Sequence, residues 1–357
     1  MTAEEILTDT KSPEASPDLL PTLEKPPTHH DHHHAANPAK KLPQIIAHRG
    51  YNALYPENSM LAFEEAIKAG AHAIETDVHE SQDGVVVLSH DPTLKRCFSL
   101  PQKISTCTWP YLSTLLTTTT PPHRVPLARL SDLLTYLSAP SRSHIWVLLD
   151  IKTDDDPHLT LVPSIAATIT SHPPPPDATW TWADRIVLGG WNENYLVSLG
   201  KELPGFKRAY IGFSLLYAKR FLDDERWPGV RFNLLQQALV GPVGRGFRER
   251  VKGAGRERKL WVWTVNDERW MRWARDKGVD GVVTDEVGLL RGVLDEGEGE
   301  GEKGRKGGRK VTVGMYIRAA MVQVLTLVLV VVIWGRLKKV GRVIGGEVKR
   351  EQAKGKD

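Results

Sequence analysis

From Ile45 onward, apolar residues fall alternately into short runs and into longer periodic stretches. The short runs IIAHR, AIETDV, IWVLLDIK, RIVLGG, RAYIGF, VRFNLL, LWVWTV and GVVTD read as strands, with helix-length segments between them. Eight parallel strands separated by helices predict a (β/α)8 TIM barrel over residues 43–294, an α/β fold. A further run, GVVVLSH, follows AIETDV after only HESQDG. That link is too short for a parallel crossover, so this run is expected to return antiparallel as a hairpin arm. The first helix is expected to start near Asn58 or Ser59, to bury Leu61, Phe63, Ala66 and Ile67, and to stop at Gly70. Residues 91–142, with Trp109-Pro110-Tyr111 and proline-rich turns, predict a small insertion over the barrel mouth after the second strand. One short helix is expected there at 130–137.

The flanks have a different composition. Residues 1–42 lack apolar periodicity and are expected to be a disordered arm; its tract His29-His30-Asp31-His32-His33-His34 reads as a solvated segment. Residues 295–310, DEGEGEGEKGRKGGRK, read as a flexible charged linker. The stretch 319–334, AAMVQVLTLVLVVVIW, is interrupted only by Gln323 and Thr326 and predicts a C-terminal hydrophobic membrane anchor helix at 311–335. Arg309, Lys310 and Arg318 precede the apolar run and Arg336, Lys338, Lys339 and Arg342 follow it, so charge does not set an orientation. Residues 336–357 form a basic tail suited to an anionic surface. The net charge of +4 is too small to argue for nucleic acid, and Cys97 and Cys107 form neither a disulfide framework nor a zinc motif. The N-terminus lacks the basic start and apolar core of a signal peptide.

Candidate chemistry gathers between Ile45 and Asp91. Glu75 and Asp77 lie two apart in an apolar strand, so both carboxylates point to one side. Such a pair repels unless a cation joins it, and oxygen ligands favour Mg²⁺ or Ca²⁺. The alternative is a wet strand edge. His48 and His90 end two apolar runs, Arg49 follows the first, and Glu57 sits in a YPEN turn where it can serve the site or only hold the loop. Either histidine alone could be structural; two beside an acidic pair and an arginine point to an active site.

These residues resemble the glycerophosphodiester phosphodiesterase family. The resemblance is carried by His48-Arg49-Gly50, Glu57-Asn58-Ser59, Glu75-Thr76-Asp77-Val78 and Ser89-His90-Asp91. It continues in Asp150-Ile151-Lys152, Trp263-Thr264-Val265-Asn266 and Gly281-Val282-Val283-Thr284-Asp285, and spans about residues 44–291. The apolar C-terminus is similar to that of the fungal phosphatidylglycerol phospholipases C.

The resemblance implies a divalent metal on Glu75, Asp77 and Asp150, phosphate contacts from Arg49 and Lys152, and His48 and His90 as acid and base. Asp150 departs from the glutamate usual in the family. Trp191, Phe213 and Trp263, at or near strand ends, are candidate pocket residues, while Trp261 is as consistent with core packing.

The expected activity is hydrolysis of phosphatidylglycerol, a glycerophospholipid, to diacylglycerol and glycerol 3-phosphate. The alternative is a soluble glycerophosphodiester or a lysophospholipase D reaction. The glycerol hydroxyl beside the phosphate is tethered and could attack intramolecularly. The expected location is an intracellular membrane (endoplasmic reticulum, lipid droplet or mitochondrial outer membrane) with the barrel in the cytosol. A catalytically silent membrane-tethered module is the reading of another class; intact His48, Glu75, Asp77, His90 and Lys152 argue against it.

Overall fold

The computed structural model describes residues 41–153, 159–255, 257–299 and 311–328. The expected arm up to residue 40 with its histidine tract, the linker over 300–310, the end of the anchor from 329 and the basic tail lie outside the described residues.

Among the described residues one sheet holds β1 (Gln44–His48), β2 (Ala73–Glu80), β3 (Val86–Leu88), β4 (Trp146–Ile151), β5 (Ile186–Gly190), β6 (Lys207–Gly212), β7 (Arg231–Leu235), β8 (Leu260–Trp263) and β9 (Gly281–Thr284). β1 pairs in parallel with both β2 and β9, which closes the eight parallel strands into the barrel that the pattern predicts. β3 folds back antiparallel on the end of β2, with Val78 opposite Leu88, as the short HESQDG link requires.

Period-two alternation then sorts the side chains of these strands. Ile46, Ala73, Leu148, Val187, Ala209, Trp261 and Val283 meet inside the barrel, and their neighbours Ile45, Ala47, Ile74, Val147, Leu149 and Val282 face the helices. The Trp146 and Trp261 rings, 4.9 Å apart, fill the barrel interior below the site. Gly281 makes room for them: a Cβ there would lie 2.7 Å from Trp261 and 2.8 Å from Ile46. One inward step beyond Ile46, Ala73, Leu148 and Val283 come His48, Glu75, Asp150 and Asp285. The same face that is apolar low in the barrel is therefore polar at its C-terminal rim.

Ser59 caps the helix Met60–Lys68, its hydroxyl accepting from the Ala62 amide at 3.1 Å, and Ala62, Phe63 and Ala66 are buried while Leu61 and Ile67 are only half-buried. The expected insertion divides in two. Leu94, Phe98, Ile104, Cys107 and Leu112 form a small separate core on Val87. The helix Leu130–Leu137, expected within the insertion, instead buries Leu130, Leu133, Leu134 and Leu137 in the main core and completes the barrel's helical ring. The last ring helix, Val287–Gly299, runs past the expected barrel end at Leu294.

Residues 313–328 are helical. No helix among the described residues is long and apolar enough to cross a membrane. The described part of the expected anchor spans about 24 Å against about 30 Å of hydrocarbon and lies against the barrel.

His72 ties the base of β1 to β2, accepting the Ile45 amide at Nδ1 (3.0 Å) while its own amide donates to the Ile45 carbonyl (2.9 Å). Burial, with Arg291 and His144 nearby, holds its pKa below 6.5. The unfolded chain therefore binds this proton more readily, and stability falls as pH drops from 6.5 through the folded value. Denaturant unfolding across pH 7 to 5 (~1 kcal/mol is the usual net worth of one hydrogen bond) is expected to show a shallower acid loss in His72→Asn, which keeps an acceptor but cannot titrate. An unchanged slope would rule this out.

Candidate active site

The rim of the barrel between β9, β1, β2 and β4 carries the charged cluster. At the end of β1 the chain turns through two left-handed residues, Arg49 (φ 56°) and Gly50 (φ 84°). A Cβ at Gly50 would sit 2.7 Å from Ala62, so only glycine fits the second. This turn aims the Arg49 amide at Glu75, where it meets the backbone carbonyl at 2.8 Å and Oε2 at 3.0 Å. The Arg49 guanidinium reaches Asp77 Oδ2 (3.1 Å) and Glu57 Oε1 (3.2 Å). Asn58, also left-handed at φ 52°, donates to Asp77 Oδ2 at 2.9 Å and accepts from the Thr76 hydroxyl at 2.7 Å.

Cross-strand register sets Asp150 of β4 beside Asp77 of β2. Ligand oxygens of Glu75, Asp77 and Asp150, all buried, lie within 4.8 Å of one another. Lys152, two residues after Asp150, places Nζ 2.8 Å from Asp77 Oδ1 and 2.7 Å from Asp150 Oδ2. The lysine expected at the phosphate thus stands between two carboxylates of the cluster, at the same rim of the barrel. Trp191 Nε1 donates to Asp150 Oδ1 at 2.7 Å, and Trp263 meets Trp191 edge-on at 5.7 Å.

The electrostatics are those of crowded carboxylates. Burial, then the neighbouring charges of Asp77 and Asp150, push Glu75 up to about 8. Burial acts the same way on Asp77, but Lys152 and Arg49 outweigh it and hold that carboxyl below its usual range. With all three carboxylates ionised, Arg49 and Lys152 leave one negative charge uncompensated. An oxygen-liganded divalent cation fits that donor set and turns the balance to one positive charge, the complement of a phosphodiester monoanion. The shorter Asp150 still brings an oxygen into the cluster.

Each histidine has a carboxylate partner. His48 Nδ1 lies 2.6 Å from Asp285 Oδ1, and Asp285 is itself held by Asn52 (3.1 Å) and Asn266. Burial lowers the His48 pKa, but Glu75 and Asp285 outweigh it and the net shift is upward. His90 Nδ1 lies 2.7 Å from Asp91 Oδ1. Arg96, from the insertion, bridges Asp91 (2.8 Å) to Glu57 (2.8 Å), so Glu57 both contacts Arg49 and fixes the loop. Asp285, Asp91, Arg96 and Asn58 escaped the sequence reading as site residues, although Asp285, Asp91 and Asn58 stand inside its motifs. Phe213 is not part of the cluster. β6 ends at Gly212, Ser214 caps the next helix, and Phe213 between them lines a groove with residues 322–327.

The sequence model of the glycerophosphoryl diester phosphodiesterase family matches residues 48–289. The chain belongs to this family. Among curated relatives, it is similar to a glycerophosphodiester phosphodiesterase of Bacillus altitudinis, 24% identical over 260 residues that cover 68% of this chain and 95% of that protein. A second relative, from Caldanaerobacter subterraneus subsp. tengcongensis, is 25% identical over 263 residues, 71% of this chain and 98% of that protein. The crystal structure of the Thermotoga maritima glycerophosphodiester phosphodiesterase superposes with TM-score 0.55 at 27% identity, covering 70% of this chain and 98% of that one. A phosphodiesterase from Oleispira antarctica, solved with the product sn-glycerol-3-phosphate, shares the fold at TM-score 0.57 and 22% identity, over 71% and 97% of the two chains. As a glycerophosphoryl diester phosphodiesterase family member, this chain is a phosphoric diester hydrolase.

The His48–Asp285 contact gives a test. Asp285→Asn is expected to lower kcat by about 10²-fold with little change in KM, because the imidazole loses its orienting anion. Steady-state kinetics showing a change in KM alone would contradict this.

Proposed function

We propose that this chain hydrolyses glycerophosphodiesters to glycerol 3-phosphate and an alcohol. The observation that carries the reading is the buried Glu75–Asp77–Asp150 cluster flanked by two cations and two histidine–carboxylate pairs. Glu75, Asp77 and Asp150 would hold a Mg²⁺ or Ca²⁺ ion, which when bound supplies Lewis acidity at the phosphoryl oxygens.

The remaining work falls to side chains. Arg49 and Lys152 stabilise charge that builds on the non-bridging oxygens as the phosphorus–oxygen bond breaks. With Nδ1 of each histidine engaged by a carboxylate, Nε2 is the nitrogen left for proton exchange. One of the pair, His48 or His90, accepts the proton of the attacking hydroxyl, and the other protonates the departing oxygen. The attacker is water or the neighbouring glycerol hydroxyl; in the second case water then opens a cyclic glycerol phosphate.

A second reading, cleavage of phosphatidylglycerol to diacylglycerol and glycerol 3-phosphate, is favoured by one observation. Residues 313–328 present exposed apolar side chains beside the barrel mouth, where a lipid would approach.

Product analysis with glycerophosphocholine and phosphatidylglycerol side by side, with Mg²⁺ or Ca²⁺ and with chelator, tests both. Metal-dependent glycerol 3-phosphate from glycerophosphocholine, lost by at least about 10²-fold in His48→Ala, is the expected result. Turnover of phosphatidylglycerol alone would replace the first reading by the second, and metal-independent turnover of either would overturn the assigned roles. A 2-deoxyglycerol headgroup should stop turnover if the attack is intramolecular; undiminished turnover would assign it to water.

A further inference from the structure

The helix over residues 313–328 is amphipathic in reverse. Ordinary surface helices turn an apolar stripe to the core and a polar face to water. Here the stripe against the barrel is Met315, Ala319, Val322, Gln323 and Thr326, so both of the uncharged polar side chains in the 319–334 run face inward. Ala319 is fully buried, and the Gln323 amide donates to the backbone carbonyls of Gln237 (2.7 Å) and Val240 (3.0 Å). The outer face carries Val313, Ile317, Met321, Val324, Leu325 and Val328, each more than half exposed. Arg318 is the one charged residue of the helix.

The place of this helix follows from its partners. Gln237 and Val240 follow β7, and Trp270, which Tyr316 meets edge-on at 6.2 Å, opens the helix after β8. Both belong to the C-terminal rim of the barrel, the rim that carries Glu75, Asp77 and Asp150. The apolar surface also continues onto the barrel itself. Leu216, 65% exposed, and Val243, 76% exposed, open the helices after β6 and β7 and line one groove with Val322 and Leu327.

A contiguous apolar surface of this kind marks a face that something covers. Charge indicates what covers it. Every charged residue from Lys303 to Gly346 is a lysine or an arginine, and apolar sequence continues from Leu329 to Trp334. Cations flanking an apolar run in the sequence complement anionic headgroups over hydrocarbon, not another copy of the same basic sequence.

We propose that this rim is a bilayer-docking face. The helix over 313–328 lies in the interface plane, held to the barrel by Gln323; Leu216 and Val243 enter the lipid beside it, and the barrel mouth faces the headgroups. This inference goes beyond the diester reading and does not depend on which diester is cleaved.

Co-sedimentation of the full chain with vesicles of phosphatidylcholine and phosphatidylserine tests it, since neither headgroup is the proposed lipid substrate. Wild type is expected to bind, and Leu216→Asp with Val243→Asp to lower vesicle affinity by at least about tenfold at an unchanged thermal midpoint. If that pair unfolds the chain, Ile317→Asp with Leu325→Asp on the outer helix face must give the same loss. Wild-type affinity in folded variants of both pairs would overturn the docking face, as would a chain that ignores vesicles and forms a dimer broken by these substitutions. Vesicle binding by a chain that cleaves no diester would strike the proposed activity and leave this inference standing.

Discussion

Everything at the barrel mouth depends on confining three carboxylates where solvent cannot screen them. Glu75, Asp77 and Asp150 lie with oxygens within 4.8 Å, all buried. Unpaired ions in such a place cost several kcal/mol each. Arg49 and Lys152 offset part of that cost, and the repulsion that remains drives Glu75 toward its protonated form. That crowding of carboxylate oxygens suits a divalent ion, which together with Arg49 and Lys152 would complement an anionic diester.

The barrel makes this confinement possible by ordinary strand geometry. Inward side chains repeat every second residue, so Ile46 leads to His48, Ala73 to Glu75 and Asp77, Leu148 to Asp150, and Val283 to Asp285. The tryptophans at 146 and 261 and their neighbours pack in the interior below. The loops then act from above: Arg49 and Asn58 accept left-handed backbone to reach Asp77, and Arg96 of the insertion bridges Glu57 to the His90–Asp91 pair.

Much of this was legible in the sequence because it is local. The eight strands, the antiparallel return of β3 and the Ser59 cap follow from periodicity, link length and side-chain type within a few residues. The paired Glu75 and Asp77 could be read from alternation alone. What was not legible depends on where distant segments meet. Asp285 stands 237 residues from His48, and no pattern around either names the other. The contact of Lys152 with Asp77 joins two strands, so the run around Lys152 does not show it. Phe213, a pocket candidate from its place at a strand end, lines a groove whose other wall comes from residues 322–327, more than a hundred positions away in the chain. The helix Leu130–Leu137 had the right bounds and the wrong company, since sequence showed its apolar face and not which core receives it. The C-terminal apolar run predicts a span; its described part, 313–328, lies along the barrel rim, where Gln323 bonds to Gln237 and Val240.

The central claim is that Glu75, Asp77 and Asp150 form a divalent cation site. Titration calorimetry of chelator-treated protein with Mg²⁺ and with Ca²⁺, paired with thermal unfolding, tests it most directly. The account predicts saturable binding of at least one of these ions and stabilisation by about 2.7 kcal/mol at a hundredfold excess over Kd. Asp77→Asn should abolish both while the chain stays folded. Equal affinity in wild type and Asp77→Asn, or no binding of either ion to the wild type, would contradict it.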